Sequence, residues 1–279
     1  MVSAALEAPG IRLHAAELLA LREGALRTKR SQPASRRPGA VPAKPPGAGM
    51  DLREIRAFAE GDDARRIDPS ATARTGAPHI RSFHEDRDDT LLLIADFRPP
   101  MLWGTGATLR SVRAARLAAR RGWQAVARGA SLAVISVTAH GIAVVPPGSG
   151  TPQMIRVSHM LASRHDQALH SGREASSLEE ALIHAARLSP PGGEVILATG
   201  PEGLATGDEP ALARLARRRR VRLLLPLDPL ETSPPAWPLP IRAGALCRLA
   251  RLAPFDRAAL AQQLRALNVS LEVVDDDAC

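Results

Sequence analysis

From Thr90 onward the chain repeats one device: a short apolar run, a turn, then a stretch with apolar residues at helical spacing. The first run, Thr90–Ala95, ends on Asp96 and has no polar alternation. A strand of that kind is buried on both faces, as strands of a parallel sheet are. Thr108 opens a predicted helix to about Arg128, stopped by Gly129, with Leu109, Val112, Ala115, Ala119, Trp123 and Val126 on one face. Further strands are predicted at Ser131–Thr138, Ile142–Val145, Glu194–Thr199, Val221–Leu225, Ala245–Leu249 and Val269–Val274, the first two joined by a tight turn at His140-Gly141. Helices are predicted over Pro152–Ser163, from the capping-box pattern Ser177-Leu178-Glu179-Glu180 through Leu182 and Ala185, from Asp208 to about Arg219, and from Asp256 to Leu267. Alternation sustained over residues 90–279 predicts an α/β fold with a Rossmann-like, doubly wound, mostly parallel sheet. Ligands in such sheets sit beyond the C-terminal strand ends, so the loop after Asp96 is the first candidate site.

Upstream, three segments precede this region. Residues 1–30 form an N-terminal helical segment, with Ile11, Ala15, Leu18 and Leu19 on one face of residues 11–22. Residues 31–49 carry Pro33, Pro38, Pro42, Pro45 and Pro46 with Gly39, Gly47 and Gly49, which excludes a helix interior or central strand and predicts an extended linker. Residues 50–89 are a charged extension of both signs, with turn-like Gly61-Asp62-Asp63 and Thr75-Gly76-Ala77-Pro78.

Two cysteines, Cys247 and Cys279, cannot make a disulfide framework, which favours a reducing compartment. No run approaches the roughly 20 apolar residues of a membrane span, and the N-terminus lacks the pattern of a secretory signal, so a cytoplasmic location is expected. The net charge of +8 invites a nucleic-acid reading. Against it, Lys29 and Lys44 are the only lysines, as in an Arg-rich, GC-biased coding sequence. Tyr is absent and aromatics are 3% of residues, so base-stacking platforms are scarce.

The segment Arg53-Glu54-Ile55-Arg56-Ala57-Phe58-Ala59-Glu60-Gly61-Asp62-Asp63-Ala64-Arg65-Arg66-Ile67-Asp68 runs on through Ala73-Arg74-Thr75 to Arg81-Ser82-Phe83-His84-Glu85 and the strand ending at Asp96. This resembles the bacterial family known as domain of unknown function 58 (DUF58). Its pattern is R-x-Y-x-x-G-D-D-x-R-x-I-D-W, then A-R-T, a Glu and a von Willebrand factor type A domain. The chain departs from it at Phe58, where Tyr is usual, and at Pro69, where Trp is usual. The resemblance makes Gly61, Asp62, Asp63, Arg65, Arg66, Asp68 and Arg74 the positions to test for partner binding. Ion pairs on a solvated face, individually worth little, account for the same charges.

The resemblance also implies a metal-ion-dependent adhesion site at the strand top, of the form Asp-x-Ser-x-Ser with a later Thr and a later Asp. Mg²⁺ wants near-octahedral oxygen ligands, which hydroxyls and carboxylates supply. Here Asp96 fits, but Arg98 and Pro100 replace the two serines. The later Thr aligns loosely with Ser176 or Ser177, and Gly200 stands where the later Asp should end a strand. A degenerate site binding no metal and no cofactor is therefore expected, with Arg98 paired to Asp96 in place of the ion. A loop with Arg98 turned to solvent is the alternative.

The predicted helix 108–128 carries Arg113, Arg116 and Arg120 near one stripe, and no Asp or Glu occurs from Phe97 to His165. An acidic partner or a phosphate backbone would suit that stripe; so would plain solvent. Trp103-Gly104-Thr105-Gly106 lacks the third glycine and the following acidic residue of a dinucleotide fingerprint, and no phosphate-binding G-x-x-x-x-G-K-[ST] loop is present. A non-enzymatic interaction module is the expected function. The resemblance implies a MoxR-type AAA+ ATPase as its partner, in assembly or maturation of another complex. An Arg-rich nucleic-acid-binding protein is the alternative, and an enzyme with an unrecognised site the third reading.

Overall fold

The computed structural model describes residues 8, 10–30, 52–60, 62–83, 89–170, 177–243 and 246–274. The predicted linker 31–49 lies outside them. The chain divides into two units, residues 33–88 and the remainder.

The larger unit is built on six strands: β3 (Thr90–Asp96), β4 (Ser131–Thr138), β5 (Gly141–Gly148), β6 (Glu194–Ala198), β7 (Arg220–Pro226) and β10 (Val269–Val274). Their spatial order is β10-β7-β6-β3-β4-β5, parallel throughout except for β5, which returns antiparallel on β4. Counted within this sheet, the order is the 3-2-1-4-5-6 of a doubly wound fold. The absence of alternation in β3 has its cause here. Leu91, Leu93 and Ala95 face one core, shared with helices α1 (Ala15–Arg30), α3 (Arg110–Ala127) and α4 (Gly150–Leu169). Leu92 and Ile94 face the other, shared with α5 (Glu179–Leu188), α6 (Glu209–Ala216) and α8 (Arg257–Ala266). Leu93 and Ile94 are fully buried, each contributing roughly 1.5–3 kcal/mol. No described helix is long and apolar enough to cross a membrane.

The N-terminal helix is part of this core rather than a separate piece. Leu13, Leu18 and Ala25 are buried in it. Trp123 Nε1 donates to the Leu18 carbonyl at 3.0 Å, and the Arg22 guanidinium sits 5.5 Å over the same indole. Helix ends also differ from the sequence expectation. α3 starts at Arg110 with Leu109 as its N-cap, not at Thr108, because the Leu109 N–H donates to Gly10 and the Arg110 N–H to Trp103. Gly129, in the left-handed region at φ 76°, follows its C-cap. α4 runs six residues past Ser163 because the polar residues there have tertiary partners: Arg164 with Thr138 and Gly141, His165 with Ser111, Asp166 with Arg12. α6 stops at Ala216, and the Arg219 guanidinium turns onto the end of α5, donating to the carbonyl of Ala186 at 2.6 Å and to that of the C-cap Ser189 at 2.7 Å. Two further elements lie between β7 and α8: the short α7 (Pro229–Thr232) and the hairpin of β8 (Leu239–Ala243) with β9 (Leu246–Ala250).

His165 is buried where α4 meets α3. His165 Nε2 lies 2.9 Å from Ser111 Oγ, and Phe97 packs edge-on to the imidazole at 5.2 Å. Burial pushes this imidazole down to about 4, against the opposing pull of Asp166. The unfolded value is about 6.5. Below that pH the unfolded chain binds a proton that the folded chain refuses, so stability is lost as pH falls from about 6.5 towards 4, by about 3 kcal/mol in total. Melting followed between pH 7 and 4 is expected to fall more steeply for the wild type than for His165→Gln.

The smaller unit pairs β1 (Leu52–Ala57) antiparallel with β2 (His79–Phe83) around α2 (Pro69–Thr75). Asp68 caps α2 through the Ala71 N–H at 2.8 Å and accepts from Arg81 Nε at 2.7 Å. These two contacts, the backbone one first, hold its carboxyl below the usual range. Gly76, left-handed, closes the helix.

Candidate functional site

The top of the sheet at the β3/β6 junction, where the winding reverses, is the candidate site. β3 delivers Asp96 there and β6 is followed by Thr199. Four hydrogen bonds converge on the Asp96 carboxylate. Oδ1 accepts from the Arg98 backbone N–H and from Arg98 Nε, each at 2.9 Å. Oδ2 accepts from Arg98 Nη2 at 2.7 Å and from Thr199 Oγ1 at 2.6 Å. Arg98 Nη2 also donates to the Gly203 carbonyl at 2.6 Å. Both side chains are almost wholly buried, at 1% and 6% exposure. A planar guanidinium matches a carboxylate at two points, so the pair is fixed in orientation as well as charge.

A second arginine closes the crevice behind the first. Arg110, on the first turn of α3, is 1% exposed. It donates to Glu231 at 2.5 Å, to the Pro100 carbonyl at 3.2 Å and to Glu202 at 3.3 Å, and stacks on Trp103 at 4.6 Å. Glu231 in turn accepts from the Asp228 N–H at 2.8 Å. Asp228 takes the Thr105 N–H at 2.8 Å, the Thr105 hydroxyl and the Leu230 N–H at 2.9 Å. Burial pushes the Asp228 carboxyl up, but the Thr105 and Leu230 contacts and the nearby Arg110 charge outweigh it and hold it below the usual range.

The described positions that would have to supply metal ligands are engaged otherwise. Arg98 brings a cation. Pro100 sits in a 3₁₀ turn (Pro99–Met101) and gives its carbonyl to Arg110. Gly200 backs onto Arg110, whose Nη1 would lie 2.7 Å from an added Cβ. Ser177 Oγ donates to Asp208 at 2.6 Å, away from Asp96, while Ser176 lies outside the described residues. Asp208 is the N-cap residue of α6, but its side chain makes no capping bond there. Its carboxylate accepts from the Leu178 and Ala205 N–H groups, each at 3.0 Å, and so ties the start of α5 to the loop before α6. Among the described residues no group of three or more His, Cys, Asp and Glu is placed to hold a metal ion. The site carries a buried, oriented charge pair, with the Glu202 carboxylate exposed at its edge.

The basic stripe is not open. Arg113 is buried and donates to the Leu227 carbonyl at 2.7 Å and that of Val274 at 3.3 Å. Arg116 is ion-paired with Glu17 of α1, and Arg120 is half-buried. α1 covers part of the stripe through the Arg116–Glu17 pair. In the smaller unit, Asp62 is held by the Arg56 fork at 2.6 and 2.9 Å and by the Ala59 N–H at 2.8 Å, which lower its carboxyl in that order of strength. Asp63 caps the turn Ala64–Arg66 through the Arg65 N–H at 3.0 Å. These acids shape turns, as Asp68 does. Arg65 and Arg74 are exposed, Arg66 is half-buried, and Gly61 lies outside the described residues.

Sequence reasoning did not find Arg110, Thr199, Gly203 or Asp228. Asp228-Pro229-Leu230-Glu231 carries a capping-box spacing that marks Asp228; nothing local marks the other three.

Comparison with solved structures finds the conserved hypothetical protein BatB of Bacteroides thetaiotaomicron at 17% identity and TM-score 0.47, over 68% of this chain and 91% of that one. An aerotolerance-related membrane protein of Bacteroides fragilis matches at 16% and 0.45, over 68% and 92%. A von Willebrand factor type A protein of Catenulispora acidiphila matches at 14% and 0.41, over 71% and 40%. Among curated sequences, uncharacterized proteins of Mycobacterium bovis and Mycobacterium tuberculosis are 40% identical over 60 residues, 22% of this chain. That match spans 19% of the length of each relative. The family described as protein of unknown function DUF58 matches residues 54–233, from the first strand of the smaller unit to the residue after α7, and the chain belongs to that family.

Proposed function

We propose that this chain is a non-catalytic, cytoplasmic interaction module that works as an adaptor for a MoxR-type AAA+ ATPase in assembling or maturing another complex. Its adhesion-type site is degenerate, with Arg98 standing where a metal ion would bridge to a partner. The observation that carries this reading is the saturation of Asp96: each carboxylate oxygen already accepts two hydrogen bonds. A partner that docks on these loops does so through protein contacts. The buried Arg113 and the ion-paired Arg116 weigh against the nucleic-acid alternative.

Affinity purification from the native cell at moderate salt, followed by mass spectrometry, tests the partnership. Recovery of an AAA+ ATPase is expected, and recovery of nucleic acid in its place would reject the adaptor reading. Neither Mg²⁺ nor a chelator is expected to shift the melting temperature, since a ligand stabilises only by binding the folded state. A rise in melting temperature on adding Mg²⁺ would reject the metal-free site.

A further inference from the structure

The hairpin of β8 and β9 lies beyond the stretch the family profile matches. With the adjoining Trp237 it holds the most exposed large apolar side chains among the described residues. Leu249 is 74% exposed, Trp237 67%, Leu246 66% and Ile241 43%. The register places Ile241 opposite Arg248 on one face, shared by Leu246 two residues from Arg248, and Pro240 opposite Leu249 and Arg242 opposite Cys247 on the other. Leu246 and Leu249 therefore stand on opposite faces, and both are open. β8 and β9 form a two-stranded sheet of their own, and an isolated two-stranded hairpin is at best marginally stable in water.

Three features specify what covers it. A flat protein surface covers one face of a hairpin, whereas apolar side chains on both faces call for an occupant that surrounds them. From Ser233 to Phe255 the chain has no Asp or Glu but has Arg242, Arg248 and Arg251, and all three arginines are exposed. Arginine lays its aliphatic stem along apolar surface while its head reaches polar groups, and Trp favours the boundary between the two. Finally, strand addition along β8 is blunted, since Pro238 precedes it and Pro240 within it lacks an N–H. We propose that this hairpin is a peripheral membrane-docking element that inserts Leu246, Leu249 and Trp237 into the interface of an anionic bilayer, with Arg242, Arg248 and Arg251 on lipid phosphates.

The test is co-sedimentation of the full chain with vesicles of phosphatidylcholine alone and of phosphatidylcholine mixed with phosphatidylglycerol. Wild type is expected to partition onto the mixed vesicles and not the neutral ones. Leu246→Ser/Leu249→Ser keeps the net charge and is expected to lower that partition by about tenfold or more. Arg242→Gln/Arg248→Gln is expected to lower it to a similar extent. Both pairs are solvent-exposed, and an unchanged melting temperature verifies the fold of each variant. The proposal is overturned if wild type fails to bind anionic vesicles at low salt. It is equally overturned if the Leu-to-Ser variant binds as well as wild type, which would mean plain adsorption of a basic protein. Loss of a co-purifying protein from the Leu-to-Ser variant, with no vesicle binding by wild type, would assign the hairpin to a protein partner.

Discussion

Arg98→Ala is expected to destabilise the larger unit by about 3–5 kcal/mol, the cost of stranding one partner of a buried ion pair. In a unit of this size that corresponds to a fall in melting temperature of roughly 10 °C. The substitution removes two of the four hydrogen bonds on Asp96 and the one to Gly203, and leaves a carboxylate at 1% exposure with only Thr199 and the Arg98 backbone N–H. Removing both charges removes that penalty, so Asp96→Ala/Arg98→Ala should fall short of the sum of the single variants by about 2 kcal/mol. Chemical denaturation of the four proteins measures the coupling. A single Arg98→Ala variant within about 0.5 kcal/mol of wild type would mean that the guanidinium has no structural part in the site, and with it the idea that Arg98 replaces a metal would fall. Mg²⁺ added to Arg98→Ala is a further probe, because the emptied cation position leaves the Asp96 carboxylate without its two side-chain bonds from Arg98.

Legibility followed the range of the forces involved. β3 and β4 are readable because a two-face-buried strand leaves an apolar run, and the edge strand β10, Val269–Val274, coincides with its predicted span. Helix ends are less readable, because they depend on tertiary partners. The polar run Arg164-His165-Asp166 reads as a helix end, yet Thr138, Ser111 and Arg12 draw it into α4. β8 is hidden by its prolines, which count against a strand unless it lies at an edge. At the site, Asp96 is legible as the last residue of an apolar run. Thr199 and Gly203 are not, because they reach Asp96 and Arg98 across 103 and 105 residues of chain. The arginines of α3 show the limit of periodicity. A helical wheel groups Arg113, Arg116 and Arg120 but cannot say what covers them, and Glu17 of α1 lies 99 residues away from Arg116.

Gly203→Ala is expected to disturb the same site from the opposite side, through volume instead of charge. A Cβ at this position would lie 1.8 Å from Thr199 Oγ1, 2.9 Å from Thr199 Cβ and 3.0 Å from the Gly200 carbonyl. Side-chain rotation can move only the hydroxyl, since Thr199 Cβ and the Gly200 carbonyl are set by the backbone of residues 199–203, where the Gly203 N–H donates to the Gly200 carbonyl at 2.9 Å. The hydroxyl that must yield is the one bonded to Asp96 Oδ2, and the loop that must shift carries the carbonyl that receives Arg98. One methyl group therefore breaks into both halves of the pair. Overpacking of a rigid site costs typically 1–3 kcal/mol, and a lost hydrogen bond to a buried charge adds about 1.5–3 kcal/mol, so Gly203→Ala should approach the effect of Arg98→Ala. Thr199→Ala separates the two contributions: alone it forfeits the hydrogen bond, and combined with Gly203→Ala it relieves the contact at 1.8 Å while leaving those at 2.9 and 3.0 Å. The double variant should then be more stable than Gly203→Ala and less stable than Thr199→Ala. A double variant no more stable than Gly203→Ala would place the strain on the Gly200 carbonyl, and the role of Gly203 would be to shape the turn instead of making room for the Asp96–Thr199 contact.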